Sequence, residues 1–150
     1  MGDSDRIPHH LLLVSSGLGA RLSAERVFKA VSAGLLDAGS PAPDLCQVSE
    51  DAHQGPSLQA LLEQLDFDGR MRRARALVLA VAALWESTLA GSMVFELATR
   101  ARQAGVPCYA ITAENRLDAF DMRILDLQLV LQARSPNALR KAGAKLAGIV

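Results

Sequence analysis

The sequence predicts an α/β fold: one single-domain, Rossmann-like parallel sheet of about five strands with helices on both faces. Three observations point to it. Short, unbroken aliphatic runs recur along the chain, each is followed by a segment with apolar residues at helical spacing, and glycine, proline or serine marks the change from one to the other. Strands without polar alternation are buried on both sides, as they are where helices cover both faces of a parallel sheet. The chain has 150 residues, of which 50% are hydrophobic, so one continuous core and one domain are the economical division.

The elements follow in order. His10 to Val14 is a buried strand entering the turn Ser15-Ser-Gly-Leu-Gly. Ser23 caps the next helix, Glu25 complements its positive end, and Ala24, Val27, Phe28, Val31 and Leu35 form its apolar face until Gly39-Ser-Pro-Ala-Pro stops it. Asp44 to Ser49 is a second strand. A polar stretch through Glu50, Asp51, His53 and Gly55 then leads to a helix carrying Leu58, Leu61, Leu62 and Leu65. Asp66 to Arg75 crowds basic residues ahead of the most aliphatic strand, Ala76 to Ala82, and reads as a junction. The period of Leu89, Met93, Leu97 and Ala101 predicts a helix over 88–103, capped by Ser87 or Thr88 and closed by Gly105-Val-Pro before the strand Cys108 to Thr112. Glu114 to Arg123 is a polar connection with a turn of helix around Phe120, Leu125 to Leu131 is the fifth strand, and Ser135-Pro136 opens a final helix.

The totals restrict the partners. Sixteen basic and sixteen acidic residues leave no net field to hold a polyanion or an acidic membrane surface, so no nucleic acid is expected. The longest apolar run, Ala74 to Trp85, is broken by Arg75 and falls short of the roughly 20 residues that span a bilayer. Residues 1–8 are polar and read as a flexible N-terminus without a signal peptide, so a cytoplasmic location is expected. Cys46 and Cys108 lie among apolar neighbours in strands, where a thiol behaves as a small buried hydrophobe.

Parallel sheets bind ligands outside the carboxyl ends of their strands, which brings 15–23, 49–55, 83–92 and 113–118 to one edge. The loop holding Ser16, Gly17, Gly19 and Arg21 precedes a helix N-terminus and is either a bare turn or an anion site in which Arg21 is a bidentate donor. It lacks the third glycine of a dinucleotide fingerprint and the lysine of a phosphate-binding P-loop. Ser87, Thr88 and Ser92 are ligand-binding candidates before the following helix. Glu86 is either a base or metal ligand or a carboxylate that complements the helix dipole. Glu50, Asp51 and His53 form the one acid-imidazole cluster, in a spacing that fits no standard metal site, so no metal is assigned. Glu86 and Asp51 are the catalytic candidates. Arg70, Arg72, Arg73 and Arg75 form a basic run without interleaved aromatics, which reads as a solvated or subunit-facing surface.

The chain also resembles the bacterial two-domain glycerate kinases. The similarity runs through Leu22-Ser-Ala-Glu-Arg-Val-Phe-Lys, Val48 to Leu62, Arg72-Arg-Ala-Arg-Ala-Leu-Val-Leu, Thr88-Leu-Ala-Gly, Ala98-Thr-Arg-Ala-Arg-Gln-Ala-Gly-Val-Pro, Asn115-Arg-Leu-Asp and Phe120 to Leu127. It implies that residues 9–150 correspond to the domain built from the two ends of such a kinase, with a junction near 65–73 replacing the middle domain. It also implies that the family's reactive side chains are largely substituted. Aligned without gaps, the opening aspartate, serine and lysine fall on Ser16, Gly17 and Gly19, and the later glutamate, arginine, aspartate and lysine fall on Val81, Ala83, Trp85 and Ser92.

Phosphoryl transfer depends on such cations and acids to fix and neutralise the moving group, so the resemblance leaves enzyme status open. Two functions are expected. One is a catalytically degenerate kinase-like module that binds a protein partner or forms a homodimer. The other is a small-molecule enzyme: a residual kinase, with ATP and magnesium as cofactors, or a repurposed activity on an anionic metabolite.

Overall fold

The structure is a computed structural model that describes residues 10–19, 21–48, 55–85 and 92–150. Its elements are β1 (Leu11–Gly17), α1 (Ala24–Asp37), β2 (Asp44–Gln47), α2 (Gly55–Gln64), α3 (Phe67–Arg72), β3 (Ala76–Leu84), α4 (Met93–Ala104), β4 (Cys108–Asn115), α5 (Ala119–Leu125), β5 (Leu127–Gln132) and α6 (Pro136–Ile149). The sheet is five-stranded and parallel throughout, in the order β2-β1-β3-β4-β5. This is the α/β architecture that the alternation of aliphatic runs and amphipathic segments predicts.

The aliphatic strands divide their side chains between two cores. Leu12, Val14, Leu77 and Leu79 face one cluster with Leu58, Leu62, Phe67, Met71, Leu97 and Leu125, so α2, α3, α4 and α5 cover that side. Leu11, Leu13, Val78 and Ala80 face the other with Val27, Val31, Leu35, Leu139 and Leu146, which belong to α1 and α6. Alternate residues of one strand thus enter different cores, and neither set tolerates a polar residue without a partner.

The helix ends are set by short-range chemistry. Ser23 accepts from the Arg26 amide and Ser135 from the Ala138 amide, with Pro136 at the first turn of α6. Asp118 and Asp121 form a reciprocal capping box at α5. Gly105 ends α4 with φ of 72°, a conformation that glycine adopts without a Cβ penalty.

Four local expectations are corrected. β1 continues three residues beyond Val14, because the buried Ser15 hydroxyl is satisfied inside the ladder: it donates to the Ala80 carbonyl and accepts from the Gly17 amide, both at 2.9 Å. The segment read as a junction contains α3, whose Phe67 and Met71 are buried in the core. Leu125 is the last residue of α5 and not the first of β5, since Asp126 takes a left-handed conformation (φ 53°) that ends the helix before Leu127 begins the strand. The N-cap of α4 is Ser92, which accepts from the Phe95 amide at 3.1 Å; the proposed caps Ser87 and Thr88 lie outside the described residues.

Among the described residues, no helix is long and apolar enough to cross a membrane. Cys46 and Cys108 are buried free thiols, and burial pushes the Cys108 thiol up to about 12.

Candidate functional site

The strand order fixes where a crevice can form. From β1 the chain enters α1 on one face, whereas from the adjacent β3 it leads toward α4 on the other. Neighbouring strands whose following helices part to opposite faces leave a gap at their carboxyl ends, and that is the switch point at which such sheets bind ligands.

On the β1 side, the turn is closed on itself. The Leu18 amide donates to the Leu22 carbonyl at 2.8 Å and the Leu22 amide to the Gly19 carbonyl at 3.3 Å, while Leu18 and Leu22 are both buried. Gly17 and Gly19 have φ of 98° and 103°, so both glycines serve the turn. At Gly17 a Cβ would also come within 2.8 Å of the Leu22 carbonyl oxygen. The amides of Gly17, Leu18 and Leu22 are therefore committed to the protein. Ser16 is half-buried at the end of β1, and Arg21 is exposed, with its carbonyl accepting from Arg26 Nη1 at 3.2 Å.

On the β3 side, the strand ends at Leu84, and Trp85 stands 44% exposed just beyond it. Register carries β4 alongside, pairing Leu84 with Asn115, and the Arg116 amide extends the contact by donating to the Leu84 carbonyl at 2.7 Å. That hydrogen bond holds Arg116 next to Trp85, with its guanidinium carbon 5.9 Å from the ring centroid. Glu114 fixes the guanidinium further, accepting from Nε at 2.7 Å and approaching Nη2 at 2.6 Å. Residues two apart at a strand end share a face, so Glu114 and Arg116 meet through the pleat. Arg134, after β5, donates from Nε to the Ala113 carbonyl at 2.8 Å, adding a third guanidinium to this edge beside those of Arg21 and Arg116.

Of the residues singled out in the sequence, Ser16, Gly17, Gly19 and Arg21 belong to the β1 turn and Ser92 to the start of α4. Asp51, Glu86, Ser87 and Thr88 lie outside the described residues, as do Glu50 and His53. Sequence reasoning missed the Trp85–Glu114–Arg116 group. The available signal was the pair of opposite charges at positions 114 and 116 at the end of an aliphatic strand. Among the described residues there is no group of three or more His, Cys, Asp and Glu side chains able to hold a metal ion.

Arg72, Arg73 and Arg75 of the basic run are exposed, and three of its four arginines have partners within the fold. Arg70 forms a bidentate pair with Asp44 and donates to the carbonyls of Leu45 and Leu65, Arg73 pairs with Asp66 at 3.3 Å, and Arg75 donates to the Val150 carbonyl. Asp44 begins β2, at the edge of the sheet opposite the crevice. The Arg70 guanidinium that it binds holds its carboxyl below the usual carboxylate range.

No protein-family model and no curated relative matches the chain. The fold is similar to the crystal structure of a 3-dehydroquinate dehydratase-like protein from Bifidobacterium longum, with a TM-score of 0.53 at 11% identity over 95% of this chain and 98% of that one. At that identity the likeness concerns the fold alone. It overturns the expected relation to glycerate kinases: the chain superposes on nearly the whole of another small α/β protein, with no middle domain to be accounted for. Where the structure describes them, the sequence blocks behind that expectation are helix segments, strand segments and a helix end of the type Ala-Gly-Val-Pro, which parallel α/β sheets share for physical reasons.

Proposed function

We propose that this domain binds a small organic anion in the crevice between the carboxyl ends of β1 and β3. One observation carries the proposal: Trp85 stands 44% exposed just past the carboxyl end of β3, one of the two strands that flank the switch point, with the Arg116 guanidinium over its ring. A large exposed indole loses the benefit of burial unless a partner covers it, and a stacked guanidinium offers that partner a planar bidentate donor. A ligand with a flat or apolar body on Trp85 and a carboxylate or phosphate near Arg116 satisfies both, displacing Glu114 from part of the guanidinium. Arg21 and Arg134 raise the local anion concentration at the same edge. The dehydratase-like name of the structural neighbour supports small-molecule use only as a fold-level analogy. In a catalytic version of this proposal, Glu86, next in sequence to Trp85, and Asp51 are the proton-transfer groups.

Trp85 is the single tryptophan of the chain, so its emission reports the site directly. Titration with aliphatic and aromatic carboxylates and with a nucleoside monophosphate should give a saturable change for at least one class, and Arg116→Ala should weaken it about tenfold or more. Absence of any saturable change up to about 10 mM of every probe would remove the proposal.

A second proposal, self-association through the same edge, is favoured by Phe120, 64% exposed in the first turn of α5. Light scattering should then give a mass above 16.0 kDa that Phe120→Ser returns to the monomer value.

A further inference from the structure

α1 and α6 touch on the face of the sheet opposite α4, and their contact point is a pair of glycines. A Cβ on Gly34 would lie 1.9 Å from the Arg140 carbonyl oxygen, and one on Gly143 would lie 2.3 Å from that of Val31. Toward the helix N-termini from this contact runs a groove of about 480 Å³ whose apolar floor includes Ala30, Ala33 and Pro136. Its charged residues are all cationic: Arg26 and Lys29 from α1 and Arg140 from α6, with no carboxylate in the lining.

The three cations are not equally committed. Arg140 is paired with Asp37, its Nε donating at 2.7 Å, and Arg26 spends Nη1 on the Arg21 carbonyl. Lys29 is exposed and forms no ion pair among the described residues. The chain as a whole carries zero formal charge, so this concentration of positive charge is a local asymmetry. Both helices also direct their N-termini, the positive ends of their dipoles, to this side of the sheet.

We infer that the groove is a second binding site, for a small organic anion whose charged group meets Lys29 and Arg26 and whose apolar body rests on Ala30, Ala33 and Pro136. Two magnitudes select that occupant. The volume lies within the roughly 300–1,000 Å³ of sites for small molecules, whereas a stable protein partner needs on the order of 1,000 Å² of buried surface or more. The absence of lining carboxylates selects the sign of the charge. The groove has no lining residue in common with the Trp85, Glu114 and Arg116 group, and the inference does not rest on that reading.

Anilinonaphthalene sulfonate has the required parts, an aromatic body and one fixed negative charge, and is the probe. The isotope-labelled full chain is titrated with it while backbone amide shifts are followed. Saturable shifts are expected at 26–33 and 137–140, with affinity reduced about tenfold by Lys29→Glu and also by Ala33→Leu, which fills the floor. The native amide spectrum of each variant checks that it folds. Shifts confined to Trp85 and Arg116, no saturable binding, or unchanged affinity in a folded Lys29→Glu protein would each overturn the inference. Because the crevice is followed separately through tryptophan emission, failure at one site is distinguishable from failure at the other.

Discussion

Arg70 and Asp44 meet in a bidentate ion pair that joins α3 to the start of β2, with Nε and Nη2 of the guanidinium 2.9 and 2.7 Å from the two carboxylate oxygens. β2 is a four-residue edge strand paired along its length with β1, and this pair and the bond from Arg70 to the Leu45 carbonyl fasten its start to α3. Asp44→Asn is expected to destabilise the fold by about 1–2 kcal/mol, a charged hydrogen bond discounted for the partial exposure of both groups. The guanidinium hydrogen bond lowers the folded carboxyl below its ordinary value, so the unfolded state takes up the proton first. The contribution is therefore complete above the unfolded value of about 3.9 and disappears as pH falls through the folded value. Urea unfolding of the native and Asp44→Asn proteins at a series of pH values should show the difference between them closing at the acid end.

The glycine contact between α1 and α6 predicts opposite outcomes for one substitution at two places. Gly34→Ala drives a methyl group into the backbone of α6 and should cost about 3 kcal/mol or more, because a carbonyl cannot step aside as a side chain can. Gly148→Ala, with open space around its added methyl, should be neutral or stabilising by about 0.5 kcal/mol through helix propensity. Thermal or urea unfolding of the two variants measures the contrast.

At the β1 turn, Gly17→Ala combines a positive φ with a close approach to the Leu22 carbonyl, whereas Gly19→Ala meets only the positive φ. The second should cost about 1–2 kcal/mol and the first clearly more. Equal losses would mean that the turn relaxes around position 17. Chemical denaturation compared with the native protein decides it.

Burial pushes the Cys108 thiol up to about 12, so near pH 8 it stays protonated and shielded. A disulfide exchange reagent should modify Cys108 no faster than the protein opens, and at full thiol rates once it is unfolded. Mass spectrometry over time, with Cys46 replaced by Ala, isolates the single thiol. Rapid labelling of the folded variant would contradict the burial.

The architecture was legible because its signals are local and redundant. Leu11 to Val14 and Ala76 to Leu84 announce buried strands by composition, and Ser23, Ser135-Pro136 and Gly105 announce helix boundaries by capping chemistry. Strand order was not legible, since it depends on which hydrophobic faces meet across long stretches of chain. α3 was missed because its six residues hold both Gly69 and two arginines, a composition that resembles a connection. Its logic is tertiary: Phe67 and Met71 are buried in the core, and Arg70 pairs with Asp44 of β2. At the candidate site, the topological rule located the edge, but the association of Trp85 with Arg116 arises from the register of β3 on β4, across a gap in sequence that no motif bridges. The family resemblance failed for a related reason: capped turns and aliphatic strands follow from the architecture and carry little information about descent.

The docking of α1 against α6 also imposes a timetable on synthesis. Residues 24–37 leave the ribosome well before 136–149, yet Val31 and Leu35 share their core with Leu139 and Leu146. Until the later residues emerge, that side of the nascent sheet lacks its second cover, and its apolar strands stay accessible to other chains or to a chaperone.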